Sequence, residues 1–232
     1  MNVDSFKALL YKDIKDLRYN GQLLVLIFFP LMFVIAFFLL QSNVPLNILL
    51  MITLLLLPIH IQGNLLAEEK EQRTWRVLKQ MGIHFYHLTI AKAFITISVT
   101  LLTIVVTTLL QGQTIFYTAM ASLFTVPCIV IMICAGTLLG TYANNTVEVN
   151  LFGTPIVIFF IALEIITRFL SNIGLHSLAN LMPNILFIGG IDLIESGQIA
   201  AAFTSYFLLL VIWAVVAVIA TRLLIKRKAF TV

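Results

Sequence analysis

Asn64-Leu-Leu-Ala-Glu-Glu-Lys-Glu-Gln-Arg-Thr-Trp-Arg-Val-Leu-Lys-Gln80 is a long charged block between stretches that carry almost no charge. A block of this kind sits in water while its apolar neighbours sit in lipid. Glu68, Glu69 and Glu71 precede Arg73, Arg76 and Lys79 by one to two helical turns, so the spacing predicts a short helix carrying acid-to-base pairs, with Trp75 and Leu78 among them. Such a helix reads as a docking surface.

Working outward, the flanks decide the class. With 61% hydrophobic and 10% charged residues over 232 positions, the chain is too apolar for a soluble domain. Six runs reach the roughly 20 residues that a bilayer crossing needs, at about 22–41, 44–63, 91–111, 115–141, 151–170 and 203–225. Backbone groups in lipid are satisfied only within a helix or a closed barrel, so an all-α integral membrane protein with six transmembrane helices is expected. It forms a single transmembrane domain over 1–232, with no internal repeat.

Lys7, Lys12, Lys15 and Arg18 precede the first run; Lys70, Arg73, Arg76, Lys79 and Lys92 lie between the second and third or at the third's start; Arg222, Lys226, Arg227 and Lys228 follow the last. Of the basic residues only Arg168 falls elsewhere. The positive-inside rule then places both termini and the 64–90 block in the cytoplasm. The net charge of +4 is a topology signal and not a nucleic-acid footprint.

Residues 2–20 place Phe6, Leu9, Leu10, Ile14 and Leu17 on one helical face and Lys7, Lys12, Asp13, Lys15, Asp16 and Arg18 largely on the other. That pattern predicts an elbow helix lying in the membrane interface. No small-residue cleavage site follows the first apolar run, so that run is expected to stay in the mature protein. Between 171 and 200 two apolar clusters, Leu175-His-Ser-Leu-Ala-Asn-Leu-Met182 and Ile185-Leu-Phe-Ile188, are interrupted at Pro183 and at Gly189-Gly190. Two short re-entrant helices on the outer side are expected there.

Candidate chemistry is sparse. No G-x-x-x-x-G-K-[ST] stretch occurs, so a nucleotide used by this chain is expected on another one. His84 and His87 share a face in Gly82-Ile-His-Phe-Tyr-His87 but lack a third metal ligand in sequence, and His60 and His176 stand alone. Cys128 and Cys134 lie in one apolar run and read as small apolar residues. No set of nucleophile, base and orienter for catalysis is seen.

Glu164 and Arg168, four residues apart in the fifth run, are either an ion or proton site or a pair in which arginine neutralises the carboxylate. Thr96, Thr100, Thr103 and Thr107 recur along the third run as a mildly polar stripe. Their hydroxyls either line a path or bond back to carbonyls four residues earlier. Pro30, Pro58, Pro127 and Pro155 fall in or at the ends of runs, where they kink helices or free carbonyls.

The order of these elements resembles the ABC-2 type permeases, the membrane subunits of a class of ATP-binding cassette exporters. The most specific piece is Glu69-Lys-Glu-Gln-Arg-Thr-Trp-Arg-Val-Leu-Lys-Gln-Met-Gly82 with Ala91-Lys92 after it, which looks like the family pattern E-x-E-x-G-T-x-x-x-L…K. Arg73 stands where that pattern has Gly, and is expected to serve there as a helix former.

The resemblance implies that the 64–82 segment couples to a cytoplasmic ATPase that holds ATP and Mg, with Glu69, Glu71, Arg73, Trp75, Arg76 and Leu78 at the contact. It implies no cofactor or metal on this chain, a second permease copy, identical or related, across the path, and a bacterial cytoplasmic membrane. Ala179-Asn-Leu-Met-Pro-Asn-Ile-Leu-Phe-Ile188 looks like the re-entrant stretch, making Pro183, Glu164, Arg168 and the threonine stripe candidates for gate or path. In texture the chain is similar to exporters of amphipathic peptides of the phenol-soluble modulin type; antibiotic and lipid-like cargoes compete. The alternative is a secondary transporter or channel using Glu164.

Overall fold

A computed structural model of the chain describes residues 3–39, 45–170 and 181–229, which form helices and short links and contain no strand. The helices are α1 (Val3–Tyr19), α2 (Gly21–Leu39), α3 (Leu46–Glu71), α4 (Thr74–Gln80), α5 (Phe85–Leu110), α6 (Ile115–Tyr142), α7 (Thr146–Leu170), α8 (Pro183–Glu195), α9 (Ile199–Ala201) and α10 (Leu208–Ala229). A π-helical stretch, Ala202–Phe207, joins α9 to α10.

Among the described residues five helical stretches are long and apolar enough to cross a membrane: α3, α5, α6, the 146–163 part of α7 and the continuous stretch 199–226. The chain is thus an all-α membrane protein. The first expected span is α2, whose apolar stretch Leu23–Ala36 is shorter than those five. Glu164, Arg168 and the 171–180 stretch, with His176 and the first expected re-entrant helix, lie outside the residues whose side chains are described.

The core forms around α3, which is buried along most of its length, while α7 and the last helix stand largely exposed. Glycine sets the closest approach. A Cβ at Gly136 would fall 2.5 Å from the Ile59 carbonyl oxygen, and one at Gly140 2.6 Å from that of Gly63. Gly136 and Gly140 form a G-x-x-x-G spacing on α6, which lets two helix backbones meet without an intervening layer of side chains.

Toward the other end of α6, Phe124 sits edge-on to Phe203 and near Phe187 and Phe207, and a Cβ on Gly190 would land 2.0 Å from its ring. This corrects the expectation at Gly189-Gly190. The pair does not break the chain; α8 runs through it, and the missing side chains admit Phe124 and Tyr206. Pro183 occupies the first turn of α8, where its lost N–H has no helical partner to forfeit.

Two further expectations change. α3 continues from the apolar run to Glu71, so the first half of the charged block is the end of that helix and not a separate one. The break follows at Arg73, whose φ of 58° is left-handed and so cannot belong to a right-handed helix turn. Arg73 therefore ends the link before α4; it is not a first-turn helix former, and its backbone conformation is one that glycine adopts without strain.

Candidate functional site

α1 approaches the end of α3 with Leu9 and Asp13, residues four apart and 3% and 1% exposed, while Ile14 is turned outward. The sequence pattern assigned Asp13 to the solvent face and Ile14 to the apolar one. The reason for the reversal is Lys92. Its ammonium is buried in α5 and donates to Asp13 Oδ1 at 3.1 Å and to Glu69 Oε1 at 3.0 Å. Lys12 reaches the same Glu69 oxygen, and the Thr74 hydroxyl donates to Glu69 Oε2.

A buried cation thus shares its charge between two carboxylates from different helices, and a second cation closes the group. Burial pushes the Asp13 carboxyl above its ordinary range, against the pull of Lys92 and Lys12. Leu9, Leu66, Leu88 and Ala91, each one to four residues from a member of this group in sequence, form a buried apolar cluster of their own.

The next two residues of the block are used on the opposite side. Lys70 donates to the Thr141 carbonyl and, at 2.9 Å, to that of Ala143, so its positive charge closes the C-terminus of α6. Glu71 accepts from the Thr146 backbone N–H at 3.1 Å and from its hydroxyl at 3.2 Å, so its negative charge closes the N-terminus of α7. Opposite charges in consecutive positions thereby serve opposite helix ends.

α4 then folds back. Its half-buried Trp75 meets Phe85 edge to face, with ring centroids 5.5 Å apart, and Leu78 and Ile83 complete the contact. Arg73, Arg76, Val77, Lys79 and Gln80 are exposed. Of the six residues expected at a partner contact, Glu69, Trp75 and Leu78 therefore face the chain's own interior, Glu71 caps α7, and Arg73 and Arg76 remain outward. For Glu69 the acid-to-base pairing expected along one short helix is replaced, because it bonds Lys12 and Lys92, which lie far away in sequence.

Farther into the membrane, Gln62 links three helices: it accepts from Thr96 at 3.0 Å and donates to Thr137 at 3.2 Å and to the Thr89 carbonyl at 3.3 Å. All four threonines of the stripe are buried. Thr96 and Thr103 bond back to the carbonyls of Lys92 and Val99, whereas the hydroxyls of Thr100 and Thr107 have no partner.

His60 bonds the Leu56 carbonyl through Nδ1 at 2.9 Å, and His84 lies against the Gly82 carbonyl. Cys128 and Cys134 are free and buried. Among the described residues no three of His, Cys, Asp and Glu gather as a metal-binding group would require.

Sequence reasoning missed the Asp13–Lys92–Glu69 cluster. The available signal was one lysine placed just inside an apolar run, since a buried ammonium requires carboxylates close by. No known family model, curated protein or solved structure matches the chain.

Proposed function

We propose that the chain is the permease subunit of an ATP-driven exporter, moved by a separate cytoplasmic ATPase that docks on α4. One observation carries the reading. The residues leading into α4 are tied to α1 and α5 through Glu69, to α6 through Lys70, and to α7 through Glu71, while α4 itself keeps an outward face of Arg73, Arg76, Val77, Lys79 and Gln80. A push on that face reaches four other helices directly.

The outward face is basic with one aliphatic residue, which suits an acidic groove with an apolar floor. In this reading α2 is the sixth crossing, both termini are cytoplasmic, the membrane is a bacterial cell membrane, and a second copy completes the path for an amphipathic cargo. ATP and Mg belong to the partner, and this chain has no P-loop to hold them.

The test is copurification from the native cell. An ATPase should accompany the wild-type chain, and Arg76→Glu combined with Val77→Asp should release it while membrane insertion and melting temperature stay unchanged. Absence of any associated ATPase, or retention of one by the double variant, refutes the proposal.

A further inference from the structure

Four buried hydroxyls, Thr100 and Thr107 on α5 and Thr118 and Ser122 on α6, lack any hydrogen-bond partner. Thr100 and Thr107 are 0% exposed and Thr118 5%. Their neighbours show that the local backbone is able to satisfy such groups, since Thr103 and Thr108 in α5 bond the carbonyls of Val99 and Ile104. The orphaned hydroxyls have forgone that bond.

Their positions are related. α5 and α6 pack as an antiparallel pair joined by the 111–114 link, and counted from that link Thr107 lies level with Thr118, and Thr103 with Ser122. On α5 the residues recur at steps of four and three from Thr96, so they share one face. The near end of that face is set, because Thr96 bonds Gln62, which in turn bonds Thr137 of α6. The orphaned hydroxyls extend the same polar seam away from the charged end, toward Tyr117, whose buried hydroxyl is also unpartnered.

Buried polar groups in natural proteins have a protein or water partner, and buried waters occur about once per 27 residues. We propose that the α5–α6 seam holds a file of internal waters bonded to Thr100, Thr107, Thr118 and Ser122, continuing the Gln62–Thr96–Thr137 cluster toward the opposite membrane face. The file lies within one protomer and is independent of an ATPase partner.

Two measurements on the full chain in lipid test this. Water-edited solid-state NMR with 13C-threonine should show early transfer from water to Thr100 and Thr107, assigned by their loss in valine variants. Thr53 is the dry control, equally buried but bonded to the Leu49 carbonyl at 2.8 Å. Transfer no faster than at Thr53 overturns the proposal, and this arm uses the wild-type fold.

In the second, Thr100→Val and Thr107→Val replace a hydroxyl by a methyl of similar size. A hydrated seam loses water bonds, and the melting temperature falls by about 2 °C or more for each change. Thr100→Ser, which keeps the hydroxyl, falls by less. In a dry seam valine removes only an unpaired group, and an unchanged or raised melting temperature overturns the proposal.

Discussion

The Lys92 ammonium stands 3.0 Å from a carboxylate oxygen of Glu69, and the two side chains are 1% and 3% exposed. Removing Lys92 leaves the buried Asp13 carboxyl without its hydrogen-bonded cation and Glu69 with Lys12 alone. Lys92→Ala should therefore cost about 3–5 kcal/mol of unfolding free energy. Lys92→Met combined with Asp13→Asn and Glu69→Gln should recover a large part of it, because no uncompensated acid then remains in the group. Denaturant unfolding in micelles measures both, and equal losses in the single and triple variants contradict the cluster.

Asp13 supplies a pH dependence. Its folded carboxyl titrates above the ordinary 3.8 because burial disfavours the charged form, with Lys92 offsetting only part. A raised value means that Asp13's contribution to stability is complete below 3.8 and lost as the pH rises through the folded value. Asp13→Asn removes this term, so the variant should gain on the wild type in melting temperature as the pH is raised from about 4 to 7. A flat or falling difference excludes the assignment.

Arg73 at φ 58° occupies a conformation that costs an L-residue roughly 1–2 kcal/mol. Arg73→Gly should stabilise the link by about 0.5–1 kcal/mol, whereas a β-branched Arg73→Val should destabilise it. Chemical denaturation of the three proteins ranks them, and a glycine variant less stable than wild type counts against the left-handed link.

Trp75 rests on Phe85, so its truncation is first a stability change. Trp75→Ala should lower unfolding free energy by about 1–3 kcal/mol, and Trp75→Phe by less, since an aromatic pair survives. Comparison with Arg76→Glu separates internal packing from partner docking, because the arginine change should leave the melting curve in place. Identical melting curves for wild type and Trp75→Ala would remove the internal role.

The sequence made the helical membrane class legible, because apolar runs of span length admit few other structures. The charged block was legible as a place and only partly as an arrangement. Spacing along one helix predicted local pairs for Glu69 and Glu71. The partners turned out to be Lys12, Lys92 and Thr146, and no periodicity in 64–80 encodes a tertiary contact. Amphipathic patterning likewise misassigned Asp13 and Ile14, since a face is chosen by what the neighbour offers, and here the neighbour offers a lysine. The G-x-x-x-G spacing at Gly136 and Gly140 was present to be read and explains why α6 lies so close to α3.

That glycine contact determines where the molecule is able to bend. Carbonyl oxygens of α3 lie where side chains of α6 would otherwise stand, so neither helix slides along the other without backbone climbing over backbone. Gly136→Val should accordingly prevent the two from seating. Whatever cycle the protein performs, α3 and α6 travel together as one strut. The π-helical turn at Ala202–Phe207, wider than the α-helix it leads into, lies outside that contact.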